Sequence, residues 1–108
     1  MRADDEFSRE PRPRKSRSRA GGGKVAREDR RDMKRFVRSR TGVEAYVEPR
    51  TIDQQLSVVL VAGDGEWLRF HLPDDRYLRK LSAKHRMPIY DTQRIGYPKR
   101  MREYRRDD

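Results

Sequence analysis

The stretch "QLSVVLVAGDGEWLRFHL" (residues 55–72) is apolar in two different ways. In its first half Leu56, Val58 and Leu60 alternate with Val59 and Val61, so an extended chain here is apolar on both sides, as a central strand covered on two faces must be. In its second half Leu68, Phe70 and Leu72 face one way while Trp67, Arg69 and His71 face the other. "GDGE" (63–66) separates the halves, and Asp64-Gly65 suits the positive φ angles of a two-residue hairpin. The sequence therefore predicts an antiparallel hairpin at the heart of a sheet.

On the N-terminal side, "VEAYVEP" (43–49) alternates Val43, Ala45 and Val47 with Glu44, Tyr46 and Glu48, a half-buried strand ended by Pro49. Before it, "KVAREDRRDMKRFVRSR" (24–40) changes period. Met33, Phe36 and Val37 fall at i, i+3 and i+4, with Val25 and Ala26 near the same side, which makes a helix with a narrow apolar stripe that stops near Gly42. After Pro73, Asp74 is a suitable N-cap for a helix over "DRYLRKLSAKHR" (75–86), with Leu78, Leu81 and His85 on one face. "IYD" (89–91) suits a short strand. The chain then turns at Gly96, and a last helix is expected from Pro98.

These elements predict an α+β fold: a small, mainly antiparallel sheet of three or four strands, packed with one helix before it and one after. Residues 25–108 are read as a single domain with a basic C-terminal extension. Residues 1–24 are read as a disordered basic arm, because "PRPRKSRSRAGGGK" (11–24) combines six cations with three glycines and no acid. The unit from Val43 to Asp91 makes a marginal core alone, so the first helix must add burial through Met33, Phe36 and Val37. That helix is expected to cover the face that carries Trp67.

Charge points to a partner. The 108 residues hold 28 Lys and Arg against 18 Asp and Glu, a net charge of +10, distributed as +8 over residues 1–40, −5 over 41–75 and +7 over 76–108. Cationic flanks around an acidic centre favour nucleic acid, RNA or DNA, gripped from the ends. The candidate phosphate contacts are Arg12, Arg14, Lys15, Arg17, Arg19 and Lys24 in the arm, and Lys99, Arg100, Arg102, Arg105 and Arg106 in the tail. Tyr97 and Tyr104 lie among the tail cations and suit stacking on unpaired bases, which tilts the expectation toward RNA. Two plainer readings stand beside these. On the first the arm is only a solubilising tail, and on the second Tyr97 with Met101 pins the C-terminal segment to the core while its arginines face water. A third surface, Trp67, Arg69 and His71 with Tyr46, is similar in kind to aromatic sheet platforms that stack bases, although Glu44 and Glu48 would repel phosphate.

The expected function is a non-catalytic nucleic-acid-binding accessory protein, ribosome-associated or nucleoid-associated. The alternative is a protein–protein adaptor that docks through its Met33, Phe36 and Val37 stripe or an acidic sheet edge. An enzyme has less support. "AGGGKV" (20–25) lacks the preceding strand and the Gly-Lys-Ser/Thr ending of a phosphate loop, and no GxGxxG is present. His71 and His85 are the two histidines and form no HExxH, and Asp74 with Asp75 is better explained as helix capping, so no cofactor and no metal are expected. The absence of cysteine fits a reducing cytoplasm. No run reaches the ~18 apolar residues of a membrane span, and "MRADDEFSRE" (1–10) has no apolar signal segment, so a cytoplasmic location without membrane contact is expected.

The order helix, three strands, helix is similar in outline to the double-stranded RNA binding domain, but Asp74, Asp75 and Arg76 stand where that domain opens its second helix with a basic cluster. "GVEAYVEPRT" (42–51), "VVLVAGDGEWLRFHL" (58–72) and "MPIYDTQRIGYPKRMREY" (87–104) together resemble a family of small basic proteins of high-GC Gram-positive bacteria, some of them loosely labelled oxidoreductases. That resemblance implies a bacterial cytoplasmic α+β module. It brings no redox cofactor site and no active residue.

Overall fold

The computed structural model describes residues 24–50 and 53–105. Its elements in chain order are α1 (Arg27–Ser39), β1 (Glu44–Glu48), β2 (Leu56–Val61), β3 (Trp67–Leu72), α2 (Arg76–His85), β4 (Ile89–Asp91), α3 (Thr92–Ile95) and α4 (Lys99–Glu103). The fold is α+β. The four strands lie in the order β3-β2-β1-β4. Every residue of β2 is buried, as its two apolar sides require.

The sheet is mixed. β2 runs antiparallel to β1, with Tyr46 opposite Val59, and antiparallel to β3, with Val58 opposite Phe70. β4 pairs parallel to β1, with Tyr46 beside Tyr90. A parallel strand cannot follow a tight turn, so the chain must cross the sheet between β3 at one edge and β4 at the other, and α2 makes that crossing. This places α2 on the same face as α1. Met33, Phe36 and Val37 of α1 and Leu78 and Leu81 of α2 pack with Ala45, Val58, Leu60, Phe70 and Leu72 in one core. The hydroxyl of Tyr77 donates to the backbone oxygen of Arg30 at 3.2 Å and joins the two helices.

Three sequence expectations need correction. First, α1 does not cover the face carrying Trp67. The chain passes to that face after β4, and Tyr46, Val59, Val61, Trp67 and Met101 form a second core there, flanked by Tyr90, Tyr97 and Tyr104. Met33, Phe36 and Val37 pack instead in the core that holds Phe70 and Leu72, with Leu68 against it. Second, the hairpin loop has three residues, Gly63–Gly65, because Ala62 N–H donates to Glu66 O and Gly65 N–H donates to Ala62 O. This is a turn followed by a residue of positive φ, and Gly65 takes φ 99°. Third, the residue capping α2 is Asp75, while the Asp74 carboxylate accepts the Arg76 backbone N–H at 3.0 Å from one position earlier. The short α3 was not foreseen. Its N-cap is Asp91, whose side chain accepts from Gln93 N–H.

Gly65 carries a second constraint. A Cβ at this position would stand 2.3 Å from the Arg100 carbonyl oxygen and 3.1 Å from Tyr104 Cβ, so the hairpin tip and α4 approach as closely as a glycine allows. Gly96 has a similar positive φ of 73°, but a Cβ there meets nothing within 4 Å. Gly65→Ala should therefore cost about 2–4 kcal/mol and Gly96→Ala about 1 kcal/mol, read from urea unfolding midpoints of the two variants against the parent. Equal losses would mean that α4 does not rest on the hairpin.

Candidate nucleic-acid interface

The structure separates the cations of this chain into those spent inside the fold and those displayed on it. The C-terminal segment belongs to the first group. Glu48 is 10% exposed and Arg69 13%, and the guanidinium donates to the carboxylate through two nitrogens, each at 3.0 Å. Ser57 Oγ donates to the same carboxylate at 2.5 Å, and the Tyr97 hydroxyl donates to its other oxygen. A bidentate pair with two further donors satisfies a carboxylate that burial alone would make costly. Burial pushes the Glu48 carboxyl up, but the hydrogen bonds from Arg69, Ser57 and Tyr97 outweigh it and hold the group below its ordinary value.

A second cluster closes the other end of this face. Arg100 donates to the Ala62 carbonyl oxygen at 2.8 Å and to Glu44 at 2.7 Å, and the Tyr46 hydroxyl donates to the same Glu44 oxygen at 2.8 Å. The Glu44 carboxyl is pushed up by burial and pulled down further by Arg100 and Tyr46, ending below its ordinary value. The two hydroxyls move the opposite way. Burial and the neighbouring carboxylate raise Tyr46 to about 12, through Glu44, and Tyr97 to about 12, through Glu48.

Each expected contact residue can now be placed. Arg12, Arg14, Lys15, Arg17, Arg19 and Arg106 lie outside the described residues. Tyr97, Arg100 and Tyr104 face the sheet and hold the cover in place. Lys99, Arg102 and Arg105 are exposed, Lys99 lying 4.0 Å from Glu103. Lys24 is exposed beside the start of α1. Trp67 and Tyr46 are 2% and 4% exposed beneath the cover, so they offer no open platform for bases.

The helical layer is the surface that sequence reasoning passed over. Arg27, Arg30, Arg31, Lys34, Arg35 and Arg38 recur along α1 at the i, i+3, i+4, i+7 spacing of one helix side, away from Met33, Phe36 and Val37. Among the carboxylates of α1, Asp29 is buried. α2 adds Arg76, Arg79, Lys80 and Lys84 and carries no carboxylate of its own. Ten cations thus share two helices packed on the same sheet face. The signal was present in the sequence, because the cation spacing repeats the apolar spacing on the opposite side.

Comparison with family models, with curated proteins and with solved structures returned no match. Among the described residues no group of three or more His, Asp or Glu side chains is arranged to hold a metal ion, and no helix is long and apolar enough to cross a membrane.

The two clusters set the pH limits of stability. A carboxyl with a depressed value stabilises the fold above its ordinary 4.5, and that contribution is lost as pH falls through the depressed value. A tyrosine raised from 10.0 to about 12 contributes fully below pH 10 and loses its contribution as pH rises toward 12. Urea midpoints measured from pH 3 to 12 should form a plateau with both edges, and Tyr97→Phe should flatten the alkaline edge. Glu48→Gln should cost about 3 kcal/mol at pH 7, since it leaves the buried Arg69 charge unmatched.

Proposed function

We propose that this chain is a non-catalytic, cytoplasmic nucleic-acid-binding protein that contacts the phosphate backbone of RNA through the outer surface of its two-helix layer, assisted by its basic arm. The observation that carries the reading is the row of cations on α1, continued by Arg76, Arg79, Lys80 and Lys84 on α2. Such a surface neutralises phosphates and releases their counterions, which supplies affinity without reading sequence.

The choice of RNA rests on a different footing from the one the sequence suggested. Tyr97 and Tyr104 are committed to the sheet, so base stacking by the tail no longer supports it. Instead, helix, three strands and helix, with both helices on one sheet face, keep the outline of the double-stranded RNA binding domain. Arg76, Arg79 and Lys80 fill the first turns of α2, with Arg76 held by Asp74 at 2.8 Å and Arg79 by Asp75 at 3.1 Å, so Lys80 is the cation there that neither aspartate takes. By that analogy duplex RNA is the preferred ligand. The adaptor reading loses its main surface, because Met33, Phe36 and Val37 are 0%, 1% and 8% exposed.

Filter binding of the full chain to an RNA duplex, the matching DNA duplex and single-stranded RNA, each over a salt series, tests the proposal. Affinity should fall with salt at a log–log slope of about −0.9 per phosphate contacted on a duplex. Arg31→Gln combined with Arg35→Gln should make that slope shallower by about 2 and weaken all sequences alike. A chain lacking residues 1–23 should keep part of its affinity. Binding that is insensitive to salt, or unchanged by the α1 substitutions, would sink the helical-layer reading.

A further inference from the structure

Five arginines of the fold are held by carboxylates: Arg40 by Glu66, Arg69 by Glu48, Arg76 by Asp74, Arg79 by Asp75 and Arg100 by Glu44. The outer side of α1 is different. Arg31, Lys34, Arg35 and Arg38 line an open groove of about 340 Å³ together with Ser39, and the lining holds no carboxylate. Among the described residues none of these four charged groups takes part in an ion pair or a hydrogen bond. Ser39 is occupied, its hydroxyl donating to the Arg35 backbone oxygen and accepting from Arg40, both at 2.7 Å. Four like charges within two turns of one helix repel each other, at a few tenths of a kcal/mol per neighbouring pair, so an anion laid along the groove relieves that repulsion.

One segment of the chain carries the complementary charge. "ADDEF" (3–7) places Asp4, Asp5 and Glu6 in the single run of three consecutive acids in the sequence, with Phe7 directly after it. The segment lies outside the described residues, and residues 7–23 separate its acids from Lys24. That spacer can span up to about 55 Å, well beyond the ~20 Å length of α1, and Gly21, Gly22 and Gly23 allow the chain to reverse along the helix. A tether of this kind presents the acids to α1 at an effective concentration of about millimolar, so contacts too weak to join separate molecules suffice. The aliphatic stems of the groove cations offer the Phe7 ring an apolar floor, and their guanidinium groups can lie on its face. The C-terminal end of α1 is close by, but its partial negative charge of about one half is small against four full positive charges.

We propose that Asp4, Asp5 and Glu6, with Phe7, dock in the α1 groove and shield it from RNA until a stronger polyanion displaces them. The docking does not depend on the chain binding RNA; the shielding rests on that reading. Duplex RNA carries many closely spaced charges and outcompetes three carboxylates, whereas a short or sparsely charged ligand does not. The segment therefore acts as an internal competitor that favours long nucleic acid over short.

The chain contains no cysteine, so Ser8→Cys provides one position for a spin label in the full-length protein. The label should broaden the backbone amide resonances of Arg31–Ser39, and an added RNA duplex should restore them. Asp4→Asn with Asp5→Asn and Glu6→Gln should abolish the broadening and tighten binding of the duplex about fivefold, as expected of a groove occupied in about 80% of chains. Glu103→Gln with Asp107→Asn and Asp108→Asn makes the same change in net charge away from the segment. This second set should leave the broadening in place and tighten binding by a smaller factor. Resonances of Arg31–Ser39 that the label leaves sharp overturn the docking. Equal tightening by the two sets overturns the shielding, because net charge then accounts for it. Broadening that the first set removes, in a chain that binds no duplex, supports the docking and ends the RNA reading.

Discussion

A strand that is apolar on both sides must be covered on both sides, and in a chain of 108 residues that requirement organises everything else. β2 is buried from Leu56 to Val61, so one layer of structure is not enough. α1 and α2 supply the first cover by packing Met33, Phe36, Leu78 and Leu81 on the sheet. The second cover is made from Met101 of the short α4, with Tyr97 and Tyr104 on either side of it and Tyr90 of β4 packed against the same core. A domain of this size buries a modest fraction of its surface, and two thin cores on either side of one sheet are how this chain reaches stability.

The two covers are held by different physics. The helical layer rests on apolar packing, which is non-directional and tolerates substitution of similar volume. The C-terminal cover adds directional bonds at both ends of its face, with Glu48 taking Arg69, Ser57 and Tyr97, and Glu44 taking Arg100 and Tyr46. Each carboxylate takes a cation from a segment far along the chain, Arg69 for Glu48 and Arg100 for Glu44. Such networks fix one register of the segment on the sheet, where five apolar contacts would permit several. This is why the acidic middle third and the basic last third belong together: part of the charge that looked available to an outside polyanion is matched internally.

The hairpin, the two long helices, the strand over Ile89–Asp91 and the helix after Pro98 were legible because each rests on local pattern: period two, period 3.6, or a proline at a boundary. The assignment of faces was not. Nothing in Met33, Phe36 and Val37 says which side of a two-sided strand they will meet; the crossing of α2 from β3 to β4 decides that, and it is a property of the whole chain. The same holds for the tail. "YPKRMREY" (97–104) reads as an exposed mixture of tyrosines and cations until Glu44 and Glu48, some fifty residues away, are brought beneath it. The cation row on α1 was readable in principle, since its spacing is helical, but net charge by thirds averages away the direction in which side chains point.

The late position of the second cover has a consequence for the chain as it is made. β3 ends at Leu72, and Tyr104 lies about 30 residues further on, so at typical elongation rates of about 5–20 residues per second the Trp67 side of the newborn hairpin stays bare for about 2 to 6 seconds. During that interval the growing polypeptide shows solvent a sticky sheet that the finished molecule hides. Factors that shield nascent apolar surface would meet this protein on the ribosome, and a premature stop after Leu72, which removes the last third of the chain with α2, β4 and α4, would release an aggregation-prone fragment.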